Sequence, residues 1–183
     1  MPVPVFKQMN SVKLILSVLI LVVTIVDITY ARGIYQEPIE FLNEVFNENP
    51  SDPHKLWIRK ELKPQINEIL GHDLGVLRVS YWKSDSRTVW IIDEVGKDQP
   101  ITTGVVIRDN QIELIRVLIF RETRGWEIRH PFFTNQFNNA MLVQGVELDV
   151  DIDGISGATL SVNAMIKLAK LALLFHKQVM DQE

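Results

Sequence analysis

No cysteine occurs anywhere in the 183 residues. That absence excludes disulfides, thiolate metal centres, iron–sulfur clusters, c-type haem attachment and a lipoprotein anchor. Redox chemistry, if there is any, has to come from a borrowed cofactor. Basic charge is also short: 19 Lys and Arg stand against 23 Asp and Glu, a net −4. Lys7, Lys13 and Asp27 leave residues 1–31 at +1, so the remainder carries −5. A nucleic-acid surface needs a basic face, so no nucleic acid is expected as a partner. Internal repeats and low-complexity tracts are missing as well.

Hydrophobic residues make up 46% of the chain, enough for a real core. The length suits one domain with a terminal extension. Lys7 and Lys13 precede an apolar run from Leu14 to Val26, and Thr29-Tyr30-Ala31 follows. A basic start, about a dozen apolar residues and a small residue at the exit make the pattern of a secretory signal. Cleavage after Ala31 and retention of residues 12–28 as a membrane anchor both remain open. Either way the expected location is periplasmic or otherwise extracytoplasmic.

Residues 32–74 read as a helical lead-in. Phe41, Leu42, Val45 and Phe46 share one side of a helix, and Lys55–Leu62 and Pro64–Leu70 are two further helical stretches. From Gly75 the period changes to two. Leu77, Val79 and Tyr81 alternate with polar residues, Ser84-Asp85-Ser86 turns the chain, and Thr88–Val95 returns as a hairpin. Ile101–Arg108 and Gln111–Phe120 form a second hairpin around Asp109-Asn110, residues that tolerate the positive φ of a tight turn. Val146, Leu148, Val150 and Ile152 then alternate with Glu147, Asp149, Asp151 and Asp153, the pattern of a half-buried strand with an acidic outer face. Asp149, Asp151, Asp153 and Gly154 also match half of a calcium loop, but its closing Glu falls on Leu160, so no metal site is expected. Val162–Val179 is a helix with a broad apolar face and Lys167, Lys170 and Lys177 on the other, so it should pack on the sheet.

Between the acidic strand and that helix lies Asp153-Gly154-Ile155-Ser156-Gly157-Ala158-Thr159-Leu160-Ser161. A small-residue loop opening a helix lets a ligand approach the backbone, and the first N–H groups of the helix point at any anion there. Such a place suits a phosphate; it also suits an ordinary cap.

The run D-G-I-S-G-A-T-L-S resembles the attachment motif of the FMN-binding domain family. Members are the C subunit of the sodium-pumping NADH–quinone reductase and the G subunit of the Rnf complex. The resemblance implies an α+β fold with a twisted, mainly antiparallel sheet over residues 75–183. It implies FMN joined through its phosphate to the hydroxyl of Thr159 by a flavin transferase that uses FAD and magnesium and releases AMP. Asp153, Ser156, Gly157, Ala158 and Ser161 fall on the motif's other positions. Gly104-Val105-Val106-Ile107 matches the family's glycine before an apolar strand. Glu122-Thr123-Arg124-Gly125, leading to Trp126, matches its E-T-P-G, with Arg124 in place of proline. That departure removes a fixed φ and adds a cation; Arg121, Arg124 and Arg129 are either a solvated rim or a source of one guanidinium for the flavin. Trp126, Phe132, Phe133 and Phe137 are either core or a flat wall for the flavin ring. Residues 34–75 lie outside the resemblance.

The function implied is an exported electron-transfer flavoprotein that works with a membrane haem- or quinone-linked subunit. No catalytic residue is assigned. The alternatives are a reductase acting on a small acceptor, with His130 or Glu122 as proton donor, and a flavin-free binding module. His54, His72 and His176 read as structural.

Overall fold

Two hairpins make the middle of the fold. The structure, a computed structural model, describes residues 33–143 and 145–181. β3 (Arg78–Ser84) and β4 (Arg87–Val95) turn through Asp85-Ser86, while β5 (Pro100–Arg108) and β6 (Gln111–Phe120) turn through Asp109 and Asn110. Asp109 and Asn110 have φ of 52° and 65°. Two consecutive left-handed residues give a turn whose twist matches that of the strands it joins. β1 (Gly33–Ile34) and β2 (His54–Trp57) complete a six-stranded sheet in the order β1-β6-β5-β4-β3-β2, antiparallel throughout. The α+β class expected from the sequence is the one adopted. Residues 1–31, read above as a signal or anchor, lie outside the described residues.

The helices are α1 (Pro38–Val45), α2 (Lys63–Leu70), α3 (Pro131–Thr134) and α4 (Thr159–Met180). α4 lays Met165, Leu168, Ala169, Ala172 and Phe175 against one face of the sheet, where Trp90, Ile101, Val105 and Ile115 face it. By length and composition α4 passes for a membrane span, yet about two thirds of its most apolar window is buried in the protein. It is a core helix. α1 covers the opposite face, where Phe41 and Leu42 meet Val89, Val106 and Leu118. Phe41 lies so close to β5 that a Cβ on Gly104 would sit 2.4 Å from its ring. Gly104, noted from the sequence only as a family mark, is there to admit that ring.

Two expectations are corrected. Lys55–Leu62 is not a helix: His54–Trp57 is β2, paired with β3 from Tyr81 to Arg78, and a turn follows. Leu56 is the one buried residue of this edge strand, too few to show a period. The acidic strand at 146–153 is also not a strand, and only Leu142 and Leu148 form a bridge. Val146, Leu148, Val150 and Ile152 do pack on the core. An extended chain laid along the core produces the same period of two without a ladder, and both edges of the sheet are already taken by β1 and β2.

Candidate functional site

The N-terminus of α4 has no cap of its own. Its N-cap residue is Ala158, which has no side-chain acceptor, and no side chain caps the helix. A Ser, Thr, Asp or Asn at that place is worth about 1 kcal/mol, so the alanine leaves the first N–H groups for another acceptor. Gly157, just before it, has φ +80°, a conformation open to glycine and strained for other residues. Thr159 is the first residue of the helix; it is exposed, and its hydroxyl has no hydrogen-bond partner among the described residues. The chain thus puts a free hydroxyl beside free N–H groups.

These groups open on a cleft of about 580 Å³ lined by Lys97, Glu122, Thr123, Arg124, Gly157, Ala158, Thr159, Leu160 and Ser161. The volume lies within the range of about 300–1,000 Å³ usual for small-molecule sites. A smaller cavity between α2 and residues 73–77 holds about 150 Å³. The far wall of the cleft comes from the loop after β6. Gly125, φ +84°, lies against α4 so closely that a Cβ would meet Ser161 Oγ at 2.5 Å and Ala158 Cβ at 3.3 Å. Glycine at this position brings the two walls together.

Glu122 is buried beneath the cleft, and its Oε1 accepts the backbone N–H groups of Lys97, Asp98 and Gln99 at 2.6, 2.6 and 2.9 Å. Burial alone would raise its pKa, but the three donors outweigh burial and hold the carboxyl below the usual carboxylate range. It is an ionised strut. A group held in that state is no proton donor near neutrality.

Of the residues expected from the sequence, Glu122, Thr123, Gly157, Ala158, Thr159 and Ser161 line the cleft, and Gly125 packs behind it. Asp153 and Ser156 are exposed and outside the lining; the Asp153 N–H donates to Gln136 Oε1 at 2.7 Å. Trp126 is also outside, set edge-on to His130 and under the Arg129 guanidinium, which also stacks on Tyr35 at 4.4 Å. Phe133 and Phe137 are core residues and Phe132 is exposed against His130, so no flat wall forms in the cleft from this cluster. Arg121 donates to Pro100 O and Thr102 Oγ1, which leaves Arg124 as the one of the three arginines on the lining. Lys97 was missed. Its neighbours in sequence, a Gly-Lys-Asp-Gln turn, carry no mark of a site; only the fold brings it opposite Thr159.

Residues 96–174 match the FMN-binding domain. This part of the chain belongs to that family. No curated protein matches the chain. The FMN-binding domain match takes in every residue of the cleft, together with β5, β6 and most of α4. It leaves out β1 to β4, although residues 33–95 complete the same sheet. The cofactor that the family brings is FMN, and an electron-transfer role comes with it. The free hydroxyl, the uncapped helix end and the size of the cleft fit the phosphate end of that molecule.

Proposed function

We propose that FMN is bound in this cleft and joined through its phosphate to Thr159 Oγ1. What carries the reading is the uncapped N-terminus of α4, where an exposed hydroxyl without a partner stands beside N–H groups without acceptors, inside the segment that matches the FMN-binding domain. The oxygen of Thr159 attacks the flavin-side phosphorus of FAD on a transferase; the P–O bond to Thr159 forms, the pyrophosphate bond breaks, AMP leaves and the hydroxyl proton is released. Gly157 and Ala158 keep the approach to that oxygen narrow and unobstructed. Bound FMN supplies two-electron and one-electron redox chemistry. The protein's part is to fix the phosphate end and to surround it with charge.

A relay is favoured over a reductase. Neither of the two proton donors a reductase was expected to use is available: Glu122 is held ionised and His130 stands outside the cleft. The proposed partners are the transferase and a membrane haem- or quinone-linked donor, with the domain exported by residues 1–31. The test is the intact mass of the protein made alongside a flavin transferase. The parent gains one FMN less water, and Thr159→Ala gains nothing. A parent that gains no mass overturns the covalent reading.

A further inference from the structure

The cleft reverses the sign of the chain around it. The protein carries net −4, yet the charged residues on the lining are Lys97, Arg124 and Glu122, and the carboxylate of Glu122 is turned into the backbone of residues 97–99. Arg124 has no ion-pair partner among the described residues. Among the described residues the ion pair of Lys97 is with the neighbouring Asp98, at 3.6 Å with both side chains largely exposed, and its charge also helps hold Glu122 ionised. An exposed pair of that kind holds weakly, so the ammonium is available to a stronger anion.

The two cations come from different loops, one between β4 and β5 and one after β6. Glu122 joins those loops. Its Oε1 gathers three successive N–H groups of the first loop, and its own backbone leads within two residues to Arg124 in the second. A Cβ on Gly96 would lie 3.2 Å from that oxygen, which shows how closely the turn wraps the carboxylate. The backbone of neither loop can shift far without breaking this knot.

We infer that Lys97 and Arg124 form a two-cation clamp that makes the cleft recognise FMN by its phosphate without the covalent bond, and therefore prefer FMN to riboflavin. The inference rests on the placement of FMN proposed above. Arg124 suits the task because a guanidinium offers a fixed fork of donors to a phosphate, while Lys97 adds a mobile point charge. Proline, the family's residue at this position, offers neither. The helix N–H groups supply the remaining donors on the third side.

The test uses the full chain with Thr159→Ala, which has no oxygen to form the ester, titrated with FMN and with riboflavin while flavin fluorescence is followed. FMN should bind at least about tenfold more tightly than riboflavin, a difference of about 1.4 kcal/mol, and its affinity should fall with added salt. Adding Lys97→Gln or Arg124→Gln should each weaken FMN about tenfold and leave riboflavin where it was. Arg124→Lys should restore part of the loss. Equal binding of the two flavins, no binding of FMN, or an equal loss for both flavins in the charge variants overturns the clamp. Urea midpoints unchanged from the Thr159→Ala chain show that the variants are folded, since both side chains are exposed. A parent chain that takes up FMN covalently while these variants bind it undiminished overturns the clamp alone; a parent that takes up none overturns the covalent reading.

Discussion

Gly104→Ala tests the way α1 is seated on the sheet. The added methyl would lie 2.4 Å from Phe41 Cε1, 2.7 Å from Cζ and 2.8 Å from Cδ1. The ring cannot yield by a simple torsion, because it is fully buried among Leu42, Val89, Val106 and Leu118, and the Arg116 guanidinium lies over it at 5.6 Å. Forcing a methyl into a packed core costs about 1–3 kcal/mol, and expelling the ring instead forfeits about 1.5–3 kcal/mol of burial. A loss of about 2–3 kcal/mol is therefore expected in equilibrium urea unfolding. The decisive measurement is the same substitution in a Phe41→Ala background. With the ring gone, alanine in a strand is better than glycine by about 0.5–1 kcal/mol, so the sign should reverse. The coupling between the two sites should be near 3 kcal/mol. An equal cost of Gly104→Ala in both backgrounds would show that the ring has nothing to do with the glycine.

His176 is buried, with Nδ1 2.7 Å from Thr88 Oγ1, and that hydroxyl also accepts from Trp90 Nε1. Desolvation pushes its pKa down to about 4, with Lys83 adding to the shift and Asp109 and Asp181 opposing it. A lowered histidine pKa stabilises the fold fully above the unfolded value near 6.5, and that stability is lost as pH falls towards 4. The loss is about 3 kcal/mol, and urea midpoints between pH 7 and pH 4 should flatten in His176→Gln. Glu122 acts in the same direction at lower pH: its depressed pKa gives stability present above its ordinary 4.5 and lost in more acid solution, and Glu122→Gln should remove that part of the acid loss. Gly125→Ala would put a methyl 2.5 Å from Ser161 Oγ in a left-handed conformation. It should cost about 1–3 kcal/mol and cut the flavin mass gain sharply, whereas Gly145→Ala, φ +74° with open space around it, should leave the mass gain whole.

The hairpins could be read because their turns are local: Asp109 and Asn110 announce a left-handed pair whatever lies elsewhere. α4 could be read because its apolar face repeats over six turns. β2 could not, since a four-residue edge strand with Leu56 as its single inward residue has no period, and its partner β3 lies beyond an intervening helix. The 146–153 segment misled because extension and pairing leave the same pattern in the side chains. At the cleft, the residues next to one another in the motif were legible and those brought in by distant loops were not. Lys97 lies 25 residues from the carboxylate that fixes it. Trp126 is adjacent to Gly125 in sequence, but the fold turns it towards Arg129 and His130 and off the lining.

The order of the chain also sets a timetable. Thr159 is synthesised after all six strands, and the helix it opens is the piece that closes the larger core. Until α4 docks, Ser161 is not against Gly125 and the Thr159 hydroxyl has no opposite wall. An unfinished or unfolded chain accordingly presents the motif as loose peptide. Under the linkage proposed above, loading at Thr159 would act as a checkpoint on completed folding, and the yellow colour of a preparation would then report the fraction of molecules that finished the sheet.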